Sequence, residues 1–256
     1  MQTERVILNR WKVGKNQLTV ILESIKILAK WINLLFQGFW IKGSIRKSLR
    51  KNLEYILIFP EFKKRLFYHP RSFFFKASKD FFYFCGYKTQ KAADEILSYC
   101  GLDKIFVKVT FDELEAQRGS FLVPPMFRND LPGKIYQLNQ NQYTIYINNK
   151  YQSRVIASIL SHEISHAYIM SSDIKFKTNS SQKERFEEQM TDLATIALGL
   201  GRLMIDGHFY SFREKGIDYT GTVGYLKSGE LEYAQALMEL KIEQANRKIS
   251  NVILGN

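Results

Sequence analysis

QSRVIASILSHEISHAYIM, residues 152 to 170, decides how this chain is read. Ile156, Ile159, Leu160, Ile164 and Ala167 recur at the three- and four-residue spacing of a helix that turns one side to a core. Within it stands His162-Glu163-Ile164-Ser165-His166, an H-E-x-x-H motif. Four residues are about one helical turn, so both imidazoles leave the same face and can reach one ion. Glu163 is offset around the helix, where its carboxylate can address a water at that ion without ligating it.

Two imidazoles do not complete a catalytic zinc site, which takes three protein ligands and leaves one position open. Downstream, Glu184, Glu187, Glu188, Asp192 and His208 can supply the third. A metzincin would carry a histidine six residues after His166, and that residue is Ser172. A polar loop, residues 171 to 182, separates the motif from a second expected helix, Lys183 to Leu198, with Gly199 and Gly201 placed to end it.

Outward from this pair, the pattern predicts a helix over Thr89 to Cys100 stopped by Gly101, and a strand over Lys104 to Phe111. A short strand is expected at Phe121 to Val123, closed by Pro124 and Pro125. Ile135 to Leu138 and Tyr143 to Ile147 flank the polar NQNQ and read as a hairpin, and a final helix covers about Gly229 to Lys248. The order is α+β, with a small mixed sheet beside the two motif helices.

These residues resemble the gluzincins, thermolysin-like peptidases in which a helix about twenty residues beyond H-E-x-x-H supplies a glutamate ligand. Glu188-Gln-Met-Thr-Asp192, 22 residues after His166, resembles their E-x-x-x-D pattern. The resemblance covers residues 152 to about 201. It implies a zincin-like body with one zinc held by His162, His166 and Glu188. Asp192 would orient a ligating histidine, or the roles of Glu188 and Asp192 would be exchanged. The strand Tyr143 to Ile147 is expected near a sheet edge that pairs with an extended substrate. The stretches EEQMTDLATIALGLG and GYLKSGELEYAQAL resemble segments of bacterial proteins that carry the same motif. The activity implied is hydrolysis of a peptide bond in a protein or peptide, with Glu163 as general base. A downstream His or Tyr would stabilise the oxyanion, from among His208, Tyr210, Tyr219, Tyr225 and Tyr233.

Composition adds a second part. The formal charge is +12, and residues 1 to 80 hold 17 of the 37 Lys/Arg against 5 of the 25 Asp/Glu, so the excess lies wholly in the first third. We expect a basic, aromatic-rich helical region over residues 1 to 85, broken near Pro60 and Pro70, ahead of a metallopeptidase domain over 86 to 256. Leu18 to Ile41 is apolar, but Glu23, Lys26 and Lys30 interrupt it, and its longest uncharged run falls short of the ~20 residues a membrane span requires. It suits an amphipathic helix packed on the protein or lying at an anionic membrane surface. Basic charge interleaved with aromatics also suits nucleic acid. The competing function class is therefore a non-catalytic zincin-fold binding or regulatory protein, acting on nucleic acid or on a membrane-bound partner.

Two cysteines, Cys85 and Cys100, are too few for a disulfide scaffold and carry no C-x-x-C pairing. The N-terminus has none of the zones of a secretory signal. The expected location is cytoplasmic, peripheral to the membrane if the basic region binds it.

Overall fold

The computed structural model describes residues 28–29, 32, 41–68, 73–111, 132–148, 150–177, 182–214 and 216–254. The expected strand Phe121 to Val123, and all of the apolar stretch Leu18 to Ile41 except Leu28, Ala29, Ile32 and Ile41, lie outside them. Among the described residues, the helices whose bounds are defined begin with α1 (Gly43–Ile56), α2 (Pro60–Tyr68), α3 (Lys79–Tyr87) and α4 (Thr89–Cys100). Strands β1 (Phe106–Phe111), β2 (Gly133–Asn139) and β3 (Gln142–Ile147) follow, and then the motif helix α5 (Ser153–Ser171). Helices α6 (Lys183–Ala197) and α7 (Gly201–Asp206), the hairpin β4 (Phe209–Glu214) and β5 (Ile217–Thr222), and α8 (Ser228–Leu254) complete the order. The architecture is mixed α and β, as the pattern of periods predicts.

Local chemistry explains several boundaries. The Ser78 hydroxyl caps α3 by accepting from Phe81 N at 3.0 Å. Gly101 ends α4 at φ 71°, and Gly199 ends α6 at φ 86°, both in the left-handed region that glycine enters without strain. A side chain at Gly199 would also collide with the Phe73 carbonyl. Gly201 does not act as a second terminator: it opens α7.

The first sheet has the order β1-β3-β2, with β1 parallel and β2 antiparallel to β3. Among the described residues YTIYI is therefore the central strand rather than one near the edge, and the edge beside the motif helix belongs to β2. Tyr143, Ile145 and Ile147 on β3 are buried against the core.

Helix α5 runs through the middle, touching α3, α4, α6, α7, β2 and β3. It is buried on nearly every side rather than along one stripe. Its small polar residues permit this, because Ser161 and Ser165 each donate to the carbonyl four residues back, at 2.7 Å. Ser165 also accepts from Thr195 on α6 at 2.9 Å, which ties the two motif helices together.

Helices α1 to α3 belong to the basic N-terminal region, yet Leu49, Leu53, Ile56, Phe62, Phe81 and Cys85 enter the same core as α5. Phe62 packs on Tyr168 with centroids 5.2 Å apart. The expected division at residues 85 and 86 falls inside α3. Lys47, Arg50, Lys51, Lys63 and Lys64 stay exposed on the outer side of α1 and α2. No helix among the described residues is long and apolar enough to cross a membrane.

Candidate metal centre

One turn of α5 places His162 above His166, with ring centroids 4.8 Å apart and planes at 85°. Helix α6 runs alongside and presents Glu188, whose Oε2 lies 3.2 Å from His162 Nε2 and 3.1 Å from His166 Nε2. Among the described residues, these three form a group whose ligand atoms all lie within 4.8 Å of one another. Atoms about 2.0–2.2 Å from a tetrahedral ion stand roughly 3.3–3.6 Å apart, close to the two His–Glu separations. The group can hold a metal ion.

The other nitrogen of each ring meets a protein oxygen. His162 Nδ1 is 3.0 Å from Asp192 Oδ1, at ion-pair distance though not in line for an ideal hydrogen bond. His166 Nδ1 is 3.4 Å from Thr191 Oγ1. With a metal bound, both contacts would favour the tautomer that keeps the proton on Nδ1 and leaves Nε2 to ligate. Asp192 is wholly buried, and its Oδ2 accepts from Tyr225 N and Leu226 N, both at 2.7 Å.

The loop that supplies those amides is held open by Gly224 at φ 81°. A Cβ there would stand 2.5 Å from Asp192 Oδ1 and 2.4 Å from Met204 Cε. Buried His208 is 2.9 Å from Val223 O and donates to it from Nδ1, bracing the same loop. Burial keeps His208 below the usual imidazole range, outweighing the Val223 carbonyl and the Asp192 charge.

Electrostatics in the group are strongly coupled. Burial would lower His162, but Asp192 and Glu188 outweigh it and hold the ring well above its ordinary value. Burial would raise Glu188, but hydrogen bonds to His162 and His166 overcome that and keep its carboxyl far below the usual range. Glu163 goes the other way: burial raises it, and the nearby histidines only partly offset the effect.

A cleft of about 420 Å³ opens over these residues. It is floored by Ile159, His162, Glu163 and His166, walled by Glu184 and Glu188, and closed by Gly133 to Ile135 of β2 and Thr222 to Tyr225. Gly133 is needed where β2 crosses α5, since a Cβ would lie 2.2 Å from Ile159 Cγ2 and 3.3 Å from Glu163 Oε1.

Of the residues considered as oxyanion donors, Tyr225 lines this cleft. His208 and Tyr233 are buried elsewhere; Tyr210 packs on Tyr151, and Tyr219 stacks on Phe212. Glu187, considered as a ligand, pairs instead with Lys183 at 3.7 Å. The sequence reading named Tyr225 and the stretch from Gly224 onward, but not Thr191, Gly133 or the Tyr225 and Leu226 amides that hold Asp192. The only signal for Thr191 is its place beside Asp192, and a helical threonine is ordinarily bonded to its own backbone, as Thr191 also is, to Glu187 O at 3.1 Å.

Comparison with protein-family models, with curated proteins and with solved structures returns no match to this chain.

Proposed function

We propose that the chain is a zinc-dependent peptidase of the gluzincin type, with one zinc held by His162, His166 and Glu188 and with Glu163 as general base. The observation that carries the reading is the placing of Glu163. It lines the same cleft as the three convergent donors without being one of them. A purely structural site is normally closed by four protein ligands, whereas three donors opening onto a cleft suit catalysis.

Zinc bound there would polarise the scissile carbonyl and make a water acidic enough to attack near neutral pH. Glu163 accepts the water's proton and returns it to the leaving amine. Its burial makes the carboxylate more basic than usual, which favours that transfer. Asp192 and Thr191 orient the ligating rings, and the Tyr225 hydroxyl at the cleft wall is the group to meet negative charge on the substrate oxygen. Among the described residues β2 is an edge strand, so its outer backbone is suited to pairing with an extended peptide. The mixed sheet, the H-E-x-x-H helix and the glutamate-bearing helix together support a zincin-like body. The same proposal assigns the exposed basic residues of α1 and α2 to an anionic surface.

The test is Glu163→Gln, which keeps size and polarity but cannot take the proton. Protein fragments from cells expressing wild type and variant are compared by mass spectrometry, with zinc content measured in both. Loss of wild-type-specific fragments with zinc retained supports the reading. Identical fragment patterns from a zinc-loaded wild type reject it in favour of a non-catalytic zinc protein.

A further inference from the structure

The metal cleft is not the only hollow along α5. A second cavity, of about 510 Å³, is walled by Tyr151, Val155, Phe209, Tyr210, Ser211 and Thr220. Thr222 borders both spaces. On α5 itself Val155 lines the second cavity, while Ile159, His162, Glu163 and His166 line the first. Steps of three and four residues keep these positions on one helix face, so the two hollows lie end to end along it. At 1.5 Å per residue, Val155 and the preceding Gln152 lie roughly 10 and 15 Å from His162 along the axis. An extended chain covers that span in about three to four residues.

The chemistry of the second cavity differs from that of the cleft. In a chain with 37 Lys/Arg and 25 Asp/Glu, none of the described residues lining it is charged. Tyr151 meets Tyr210 edge-on with centroids 4.9 Å apart. Tyr210 lies across β5 opposite Gly221, where a Cβ would come within 2.3 Å of its hydroxyl and 2.4 Å of Cζ. Glycine at that place lets the ring form a flat wall. Phe209 stands 68% exposed at the mouth, an apolar surface left to water.

We propose that this cavity is a specificity subsite that takes a bulky apolar side chain, three or four residues from the bond being cut, of a peptide lying along α5. The inference rests on the peptidase reading given above, and it adds a substrate class: extended chains with an aromatic or large aliphatic residue at that distance. Burying most of one such side chain favours the matching peptide by about tenfold or more.

The experiment measures binding, so it does not depend on turnover. Zinc-loaded full-length protein is titrated with two series of oligoalanine hydroxamates, the chelating group at the C-terminus in one and at the N-terminus in the other. Phenylalanine is moved through positions one to five. In one series, affinity should rise about tenfold with phenylalanine at the third or fourth position relative to alanine there. Ser211→Trp, or Thr220→Trp at its cross-strand partner, should remove that gain and leave the all-alanine affinity unchanged. Both positions are exposed and on strands, where tryptophan is well accommodated. No gain at either position in both series overturns the subsite, as does a gain that survives both substitutions. Failure of the peptidase reading shows separately, as fragment patterns indifferent to Glu163→Gln while the hydroxamate profile persists. An all-alanine hydroxamate that does not bind at all overturns both.

Discussion

Asp192→Asn changes one atom of a side chain that touches no substrate, yet it should weaken zinc binding by about 10- to 100-fold. Asp192 Oδ2 accepts from two backbone amides at 2.7 Å, and Oδ1 faces His162 Nδ1 at 3.0 Å. In the variant the amide oxygen must turn toward the two N–H groups, because an NH₂ there would set donors against donors. The NH₂ then faces His162 Nδ1, and the favoured tautomer carries its hydrogen on Nε2, the nitrogen a metal needs. Moving that hydrogen back opposes N–H and NH₂ across 3.0 Å, and the affinity loss corresponds to about 1.4–2.8 kcal/mol. Competition with a chromogenic chelator measures the loss. Melting should show a fold close to wild type, since both backbone amides keep an acceptor. Asp192→Ala gives the contrast: it orphans both amides at a cost of about 1–3 kcal/mol each, so stability falls together with affinity. Wild-type zinc affinity in the Asn variant would refute the tautomer argument.

Three further outcomes follow from the same geometry. Glu188→Ala should abolish tight zinc binding, whereas Glu187→Ala, which removes only an exposed pair with Lys183, should leave it within about twofold by the same chelator assay. Gly133→Ala should destabilise by roughly 1–3 kcal/mol, read as a lower urea midpoint, because a methyl 2.2 Å from buried Ile159 forces β2 off α5; an unchanged midpoint would contradict that packing. Burial pushes the Cys85 and Cys100 thiols up to about 12, so at pH 8 both stay protonated and should resist iodoacetamide in the native protein but react after unfolding, as mass spectrometry would show.

The legible parts of the fold are those where period and punctuation agree. The helix expected over Thr89 to Cys100 has those bounds, with Gly101 in the left-handed conformation that stops it. The second motif helix is found at Lys183–Ala197. His162, His166 and Glu188 converge because helical spacing is rigid enough to transmit position over one turn, and a pair of packed helices supplies the rest. The hairpin β4–β5 went unread, since one face is exposed, the face of Tyr210 and Phe212 is only half-buried, and the stretch has no apolar alternation. Its signals are the β-prone aromatics Phe209, Tyr210, Phe212 and Tyr219, with Gly216 at φ 82° in the turn. The apolar residues of α1 to α3 gave no hint of which surface they meet, and only tertiary packing assigns Leu53 and Phe62 to the core around α5. The amides that hold Asp192 were equally illegible, because backbone donors look alike in every sequence.

The central claim, a zinc centre built by His162, His166 and Glu188, is tested most directly by elemental analysis of purified protein. Wild type should contain about one zinc per chain, and the His162→Ala, His166→Ala double variant none, with the fold of both checked by circular dichroism. A metal-free wild type purified without chelators, or stoichiometric zinc persisting in the double variant, would contradict the account.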